Sequence, residues 1–313
     1  MTRRQAKPPV AGGQSSPRSE SWFALLHSDW HAGYRYGICP PDVELDPLDE
    51  EDGDEPFVPQ LTTTQGILWE WLLADLAKSR EIIDGRAWYH VHVGDICHGT
   101  NLGEIVTPRL ADQPVIAAMA MKPWHATIPN LQGMRIIKGT AVHSMKHGSL
   151  EMITAAAIRA QMRERGEMPR FGVRAFYHDE LDIGDVRFDI AHKGPPPGRR
   201  VWLDSNELRW YVRDIMLYHL KNGRRPPQAV IRGHYHDRRI THVHEHLDSG
   251  LVDTWGIIVP AYSIFVDDWT RGATQSKAHM NSGTILLECR DKEIIKVHDL
   301  THTLDLRHKE VLR

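Results

Sequence analysis

The stretch "VIRGHYHDRRI", residues 230 to 240, places two histidines directly after an apolar run and a glycine. The preceding "QAVI" has the continuous apolar character of a strand buried on both faces. His234 and His236 therefore stand where a buried strand ends. In open α/β sheets the ligand crevice lies at the carboxyl ends of the strands. The fold and the function both depend on whether other strands of this chain end in the same way.

Four further apolar runs end in similar polar side chains. These are Asp29 and His31 after "SWFALLH", Asp95 and His98 after "WYHVHVG", Thr140 and His143 after "MRIIKG", and His192 after "VRFDIA". Carboxylate oxygens mixed with imidazole nitrogens suit Mn²⁺, Fe or Zn²⁺, and the absence of a thiolate cluster argues against a structural zinc site. A carboxylate can bridge two ions, which an imidazole does not ordinarily do, so Asp95 on its glycine turn is the natural bridge. The five strand ends together predict a metal centre.

Helical and strand patterns alternate through the first two-thirds of the chain, and strands dominate afterwards. Helices are predicted at 62–80, 111–128, 149–166 and 205–223, and strands at 21–29, 87–95, 134–140, 172–178, 186–192, 228–234, 238–247, 254–265, 283–290 and 293–300. The tryptophans at 69, 71 and 210 fit helix packing. This order favours an α/β (α+β) protein whose sheets are covered by helices.

Composition sets the outer bounds. The 313 residues carry a net charge of −3, so no global basic field indicates nucleic acid, and binding to a polyanion would have to be local. We predict a disordered leader at 1–20 and a single domain at 21–313, interrupted by an acidic surface loop at about 40–58. Three scattered cysteines, Cys39, Cys97 and Cys289, favour a reducing compartment, hence the cytoplasm. No apolar run is long enough to predict a membrane span.

The order of these motifs resembles that of the calcineurin-like metallophosphoesterases. It reads D-x-H at Asp29 to His31, G-D-x-x-H at Gly94 to His98, G-T-x-x-H at Gly139 to His143, a lone His192, and G-H-x-H at Gly233 to His236. The resemblance covers residues 22 to 240. It implies a four-layer αββα sandwich, in which two mixed β-sheets are flanked by helices around a centre of two divalent metal ions. Mn²⁺ is the first expectation for both ions, with Fe or Zn²⁺ as alternatives.

By position in the family pattern, Asp29, His31 and His236 would hold the first metal. His192 and His234 would hold the second, and Asp95 would bridge the two. The resemblance further implies hydrolysis by a metal-bridging hydroxide that attacks phosphorus in line with the leaving group. His143 or His98 would protonate the departing oxygen.

The third motif departs from the family, which usually has G-N-H followed by an acid. Thr140 occupies the position of the metal-binding asparagine, and a hydroxyl is a poorer ligand than an amide oxygen. His143 falls two residues later than the family histidine, so it is either the leaving-group acid or itself a ligand. Similar G-T-x-x-H variants occur among predicted bacteriophage and prophage phosphoesterases, so the change does not by itself indicate an inactive protein.

The substrate is less sharply predicted. Lys193 follows the ligand His192, and Arg232 precedes His234, so both are candidates for phosphate binding. Further cations close to the motifs are Lys138, Lys146, Arg199 and Arg200. The G-D-x-x-H form also resembles the nuclease subunit of double-strand-break repair complexes, which favours phosphodiesters, including nucleic acid or nucleotides. The alternatives are a phosphomonoesterase acting on a nucleotide or phosphoprotein, and a non-catalytic metal-binding scaffold.

Two other sets of histidines have simpler interpretations. His90 and His92 share one face of the second strand and are expected in the core or the crevice. His242, His244 and His246 share one face of "THVHEHL", where three imidazoles could bind zinc. An exposed strand face is the interpretation that we adopt for them.

Overall fold

Two mixed β-sheets and four helices make up the part of the chain that the structure, a computed structural model, describes: residues 20–47, 55–99, 103–143, 145, 149–196, 205–247, 250–264 and 279–305. The strands are β1 (Trp22–His27), β2 (Trp88–His92), β3 (Leu131–Ile137), β4 (Val173–Phe176), β5 (His178–Ile183), β6 (Val186–Ala191), β7 (Ala229–Arg232), β8 (Arg239–Leu247), β9 (Gly250–Ile258), β10 (His279–Arg290) and β11 (Glu293–Asp305). The helices are α1 (Thr63–Ile83), α2 (Asp112–Thr127), α3 (Ser149–Glu164) and α4 (Asn206–Lys221).

The first sheet has the strand order β11-β10-β1-β2-β3-β4, and the second has the order β5-β6-β7-β9-β8. Strands β1 to β4 run parallel to one another, and β6, β7 and β9 do likewise, while β10, β11, β5 and β8 pair antiparallel. Both sheets are therefore mixed. Because the parallel strands end at one edge of each sheet, the loops that follow them can meet.

Three apolar clusters separate the layers. Alternate residues of β1, such as Ala24 and Leu26, pack with Phe188 and Ile231 of the second sheet. The other face of the first sheet packs against α1, α2 and α3, and the outer face of the second packs against α4. These contacts give the four layers α, β, β and α, which confirms the predicted fold class.

Helix α1 illustrates why the sequence folds locally as it does. The Thr62 side chain accepts a hydrogen bond from the Gln65 backbone, and the Gln65 side chain accepts one from the Thr62 backbone, which forms a capping box. The helix ends at Asp84, whose φ of 48° is left-handed. Leu68, Leu72 and other buried residues at helical spacing face the first sheet.

The structure corrects several sequence predictions, among them the strand predicted at 254–265, which is observed at Gly250–Ile258. The strand predicted at 172–178 ends at Phe176, and a further strand, β5, begins at His178 in the other sheet. The acidic alternation of "HDELDI" concealed this strand, because only one of its faces is covered. Trp210 is 64% exposed and does not pack in the core, whereas Trp69 and Trp71 are partly buried against it.

The predicted leader falls almost wholly outside the described residues, as do 48–54 of the predicted acidic loop, Lys146, Arg199 and Arg200. Within the described part of that loop, Asp42 and Glu44 are exposed, but Val43 and Leu45 are buried and Leu45 pairs with Phe57. The start of the loop is therefore packed against the domain. None of the helices that the structure describes is long and apolar enough to cross a membrane.

Several histidines form part of the core. His90 and His92 are buried, as their place on β2 predicts. A hydrogen-bonded chain runs through His125, His90, His27, Thr284, Tyr262 and Asp75, with 2.9 Å between partners from His125 to Tyr262. Burial lowers the pKa of His27 and His90 well below the usual value, so both are neutral. A neutral imidazole donates one hydrogen bond and accepts one. Every hydrogen bond in this series can therefore form when each group donates towards Asp75.

Candidate metal centre

The loops that follow β1, β2, β6 and β7 are joined to one another by backbone hydrogen bonds. The Asp29 N–H donates to the Gly94 carbonyl over 3.0 Å, and the Gly233 N–H donates to the His192 carbonyl over 2.8 Å. The His234 N–H donates over 2.8 Å to Asp29 Oδ2, which links the two sheets. The predicted ligands are thereby brought to one place, although they are distant in the sequence.

Asp29, His31 and His236 form the first group of potential ligands. His31 Nε2 lies 3.3 Å from His236 Nε2, and Asp29 Oδ1 lies 3.8 Å and 3.4 Å from these two nitrogens. Asp29 and His31 are fully buried, and the His236 side chain is 10% exposed. These are the three residues predicted for the first metal.

Asp95, His192 and His234 form the second group. His192 Nε2 lies 2.9 Å from Asp95 Oδ2, and the ring centroids of His192 and His234 are 5.2 Å apart. In each group, donor atoms of all three residues lie within 4.8 Å of one another. Asp29 Oδ1 is also 3.9 Å from His192 Nε2, so this oxygen lies between the two groups. The bridging role of Asp95 stays a prediction.

The donor atoms of the first group converge in an arrangement that a divalent cation would fit. Asp29 Oδ1 is buried and accepts no hydrogen bond from a described residue, while Oδ2 accepts from Ser28 and from the His234 backbone. An uncompensated buried carboxylate oxygen is costly. Two imidazole nitrogens face each other beside that oxygen, and a divalent ion would satisfy all three atoms.

Hydrogen bonds from the far side of two rings fix their tautomers. His192 Nδ1 donates to the Val93 carbonyl over 2.7 Å, which leaves Nε2 to face Asp95 and Asp29. His143 Nδ1 donates to the His98 carbonyl over 2.5 Å, so Nε2 is the ring nitrogen that points away from this carbonyl. Ligating histidines are normally oriented in this way.

The backbone at this site is strained. Asp29, His31, Asp95, His234 and His236 all have φ between 44° and 77°, a left-handed conformation that residues other than glycine rarely adopt. Such strain costs on the order of 1 kcal/mol or more per residue and persists only where surrounding structure maintains it. Its concentration in five of the six predicted ligands indicates that the loops are shaped for function.

The charges of the centre are strongly coupled. Burial alone would raise the pKa of Asp95, but His192 outweighs it and lowers the pKa to about 2. Burial likewise opposes protonation of His192, yet Asp95 and Asp29 raise its pKa to about 9. Burial lowers the pKa of His31 to about 3. Burial opposes ionisation of Asp29 as well, but His192 and the neighbouring His236 and His31 hold its pKa well below the usual value. In the absence of metal, both carboxylates are therefore ionised and His192 holds the compensating proton.

His143 and His98 lie beside the first group. The ring centroids of His143 and His31 are 4.3 Å apart, and donor atoms of His31, His98 and His143 lie within 4.8 Å of one another. The His98 ring stacks on Tyr34 with centroids 4.2 Å apart. Burial and the neighbouring His143 lower the pKa of His98 to about 4, which leaves it neutral near pH 7. The ring centroids of His98 and His31 are 5.7 Å apart, so His143 is the nearer of the two predicted acids to His31.

Thr140, which occupies the position of a metal-binding asparagine in the motif, lies directly beside Asp95. Its N–H donates to Asp95 Oδ1 over 2.7 Å, and its hydroxyl lies 3.2 Å from both oxygens of that carboxylate. The backbone and the hydroxyl of Thr140 both help to orient the Asp95 carboxylate, and a role for this hydroxyl as a metal ligand stays a prediction.

The two predicted phosphate-binding cations, Lys193 and Arg232, lie in different environments. Lys193 is exposed beside His192. Arg232 is 1% exposed, and its guanidinium pairs with Asp189 at 2.6 Å and with the Tyr211 hydroxyl. Arg232 therefore joins β7 to β6 and α4 and is not free for phosphate. Its apolar neighbours in the sequence did not reveal this, because the pairing depends on tertiary structure.

Sequence reasoning missed two residues of the site. Glu151, in the first turn of α3, accepts a hydrogen bond from the Gly139 N–H over 2.8 Å and so anchors the loop that holds Asp95. Ser263 donates to the Asp29 carbonyl over 2.9 Å and lies 3.4 Å from His236 Nδ1. Neither has a sequence signal, because an acid in a first helical turn and a serine in a loop are both common.

Comparisons with known proteins are distant. No family model and no curated protein matches the chain. The NAD nucleotidase of Haemophilus influenzae is 8% identical with a TM-score of 0.39, and the match covers 90% of this chain and 49% of that one. The sulfate thiohydrolase SoxB of Thermus thermophilus is 13% identical with a TM-score of 0.33, covering 94% of this chain and 58% of that one. The chain thus spans only about half of each, and at such values neither similarity assigns it an activity.

Proposed function

We propose that this chain is a binuclear metal-dependent phosphoesterase that hydrolyses phosphate esters, with phosphodiesters as the preferred class. The observation that supports it most is the pairing of two largely buried ligand groups, Asp29, His31 and His236 beside Asp95, His192 and His234. Their donor set of imidazoles and carboxylates suits Mn²⁺, Fe or Zn²⁺, with Mn²⁺ as the first choice. When bound, the two ions would supply Lewis-acid activation of the phosphoryl group and of water.

The chain's own residues would contribute positioning and proton transfer. His143 is oriented by its Nδ1 hydrogen bond to the His98 carbonyl, so its Nε2 can carry a proton to a departing oxygen. The His98 ring, stacked on Tyr34, is buried beside His143. Lys193 offers a positive charge to a non-reacting phosphate oxygen.

A cytoplasmic location is part of this proposal. The three cysteines are free and buried, and proteins whose cysteines form no disulfides are typical of reducing compartments. Acidic residues near 42–46 would repel long polyanions if they lie close to the centre, which would favour small diesters over nucleic acid.

The test combines metal content with hydrolysis of a bis-aryl phosphodiester and an aryl phosphomonoester after addition of Mn²⁺. We expect about two ions per chain and faster hydrolysis of the diester. The Asp95→Asn variant should lose metal and turnover, whereas Asp214→Asn, on the exposed face of α4, should keep both. Preferential monoester hydrolysis would replace the diester with the alternative substrate. Two bound ions without any hydrolysis would instead support a metal-binding scaffold.

A further inference from the structure

A second cluster of metal-compatible side chains lies on the edge of the second sheet. Strand β8 is the edge strand and pairs antiparallel with β9, with His242 opposite Trp255 and His244 opposite Asp253. Residues two apart on a strand share a face, so His242, His244, Asp253 and Trp255 project from the same face. This cluster belongs to neither of the ligand groups described above.

The side chains of this cluster converge. His242 Nε2 lies 2.7 Å from Asp253 Oδ2, and the ring centroids of His242 and His244 are 4.1 Å apart. One ligand atom from each of His242, His244 and Asp253 lies within 4.8 Å of the others. A tetrahedral ion with ligand distances of about 2.0–2.2 Å needs donor atoms about 3.3 Å apart. His244 and Asp253 are exposed, so rotation of their side chains can close the remaining difference.

Stacking holds the central ring of the cluster in place. The His242 ring lies parallel to the Trp255 indole, with centroids 3.9 Å apart and an interplanar angle of 9°. The Trp255 side chain itself packs partly into the core between the sheets. This support reduces the rotamer freedom that a surface ligand would lose on binding an ion. His246, the third histidine of "THVHEHL", lies outside the convergent group.

The strand register separates this cluster from the candidate metal centre. Trp255 pairs with Ala229, the first residue of β7, whereas the centre's ligands follow Arg232, the last residue of that strand. Asp253 is two residues further from the centre. The two sites therefore lie towards opposite ends of the second sheet.

We propose that His242, His244 and Asp253 bind a zinc ion that joins the edge strand β8 to β9. Two imidazoles and one carboxylate form a donor set that zinc accepts, with solvent in the fourth position. The borderline nitrogen ligands disfavour Mg²⁺ and Ca²⁺ at this place. An ion held across the β8–β9 pair also stabilises an edge strand, the part of a sheet most exposed to unwanted pairing.

The experiment compares zinc content per chain in the full-length protein, in His244→Gln and in the matched control His246→Gln. Each protein is stripped with a chelator, dialysed against Zn²⁺ and assayed by mass spectrometry of the metal. We expect the parent and His246→Gln to retain one zinc more than His244→Gln. This difference does not depend on how many ions the candidate metal centre takes, so it tests the edge site separately from the proposed function.

A second measurement gives the affinity. Titration with Zn²⁺ should show that His244→Gln weakens this site by more than about 100-fold, because removing a direct ligand costs more than altering its support. Zinc should also raise the melting temperature of the parent more than that of His244→Gln. Equal zinc content and equal affinity in the parent and His244→Gln would overturn the proposal and leave a plain histidine–aspartate pair.

Discussion

Replacement of Gly139 by alanine tests the geometry of the candidate metal centre without changing any ligand. An ideal Cβ on Gly139 would stand 2.7 Å from Asp95 Cγ, and nearer still to Asp95 Oδ1 and to its backbone nitrogen. Carbon atoms pack at about 3.5 Å or more, so the carboxyl carbon would have to retreat by about 0.8 Å. Metal sites tolerate about 0.2 Å of error in ligand distance, so the displacement is several times what the centre can absorb.

The same substitution would disturb the hydrogen bonds that orient Asp95. Thr140, the residue after Gly139, donates its N–H to Asp95 Oδ1 over 2.7 Å. The N–H of Gly139 itself donates to Glu151. The loop is thus held on both sides and cannot relax away from the added methyl group. We expect Gly139→Ala to lose at least one bound ion and to lower turnover by about 10- to 100-fold or more.

The matched control is Gly66→Ala. Gly66 lies in α1, and an added Cβ there would meet nothing within 4 Å. Alanine is favoured over glycine in a helix by up to about 1 kcal/mol, so this variant should be at least as stable as the parent and keep its metals. Metal content, Mn²⁺-dependent hydrolysis and melting temperature are measured on all three proteins. A Gly139→Ala protein that retains two ions and full turnover would refute the placement of Asp95 in the centre.

Three other substitutions test His143, the buried hydrogen-bonded chain at Tyr262, and the charge of His192. His143→Ala should lower turnover by about 100-fold, the usual contribution of a general acid, while about two ions stay bound; loss of an ion would show instead that His143 is a ligand. Tyr262→Phe should lower the free energy of unfolding by about 1–3 kcal/mol in denaturant titrations, because Asp75 and Thr284 lose a buried partner, and an unchanged midpoint would contradict the hydrogen-bonded chain. In the metal-free protein, the pKa of His192 is raised to about 9, above the value of about 6.5 that it has in the unfolded chain. Protonated His192 therefore stabilises the folded state, and this contribution is complete below about pH 6.5. This contribution is lost as pH rises towards 9, so unfolding titrations should show a fall in stability over that range, which His192→Gln should lack.

Much of the fold and of the candidate site is local in origin and could be predicted from the sequence. The apolar run of β1, the capped amphipathic pattern of α1 and the glycine after β7 are signals carried by neighbouring residues. The placement of Asp29, His31 and His236 at strand ends was equally visible, because parallel strands deliver their carboxyl ends to one edge. The structure brings these three residues together as predicted.

What the sequence could not determine depends on partners that are distant along the chain. Arg232 follows an apolar run beside a ligand and so resembles a phosphate-binding cation, but Asp189 and Tyr211, reached only through the second sheet and α4, neutralise and bury it. The hydrogen bond of 2.7 Å from the Thr140 N–H to Asp95 joins two loops that lie far apart in the sequence. The acidic residues of β5 were not predicted as a strand, because β5 forms through its pairing with β6. Side-chain type and local period therefore fix which groups stand at the strand ends, whereas packing between layers decides which of their charges are already paired and which remain free to bind.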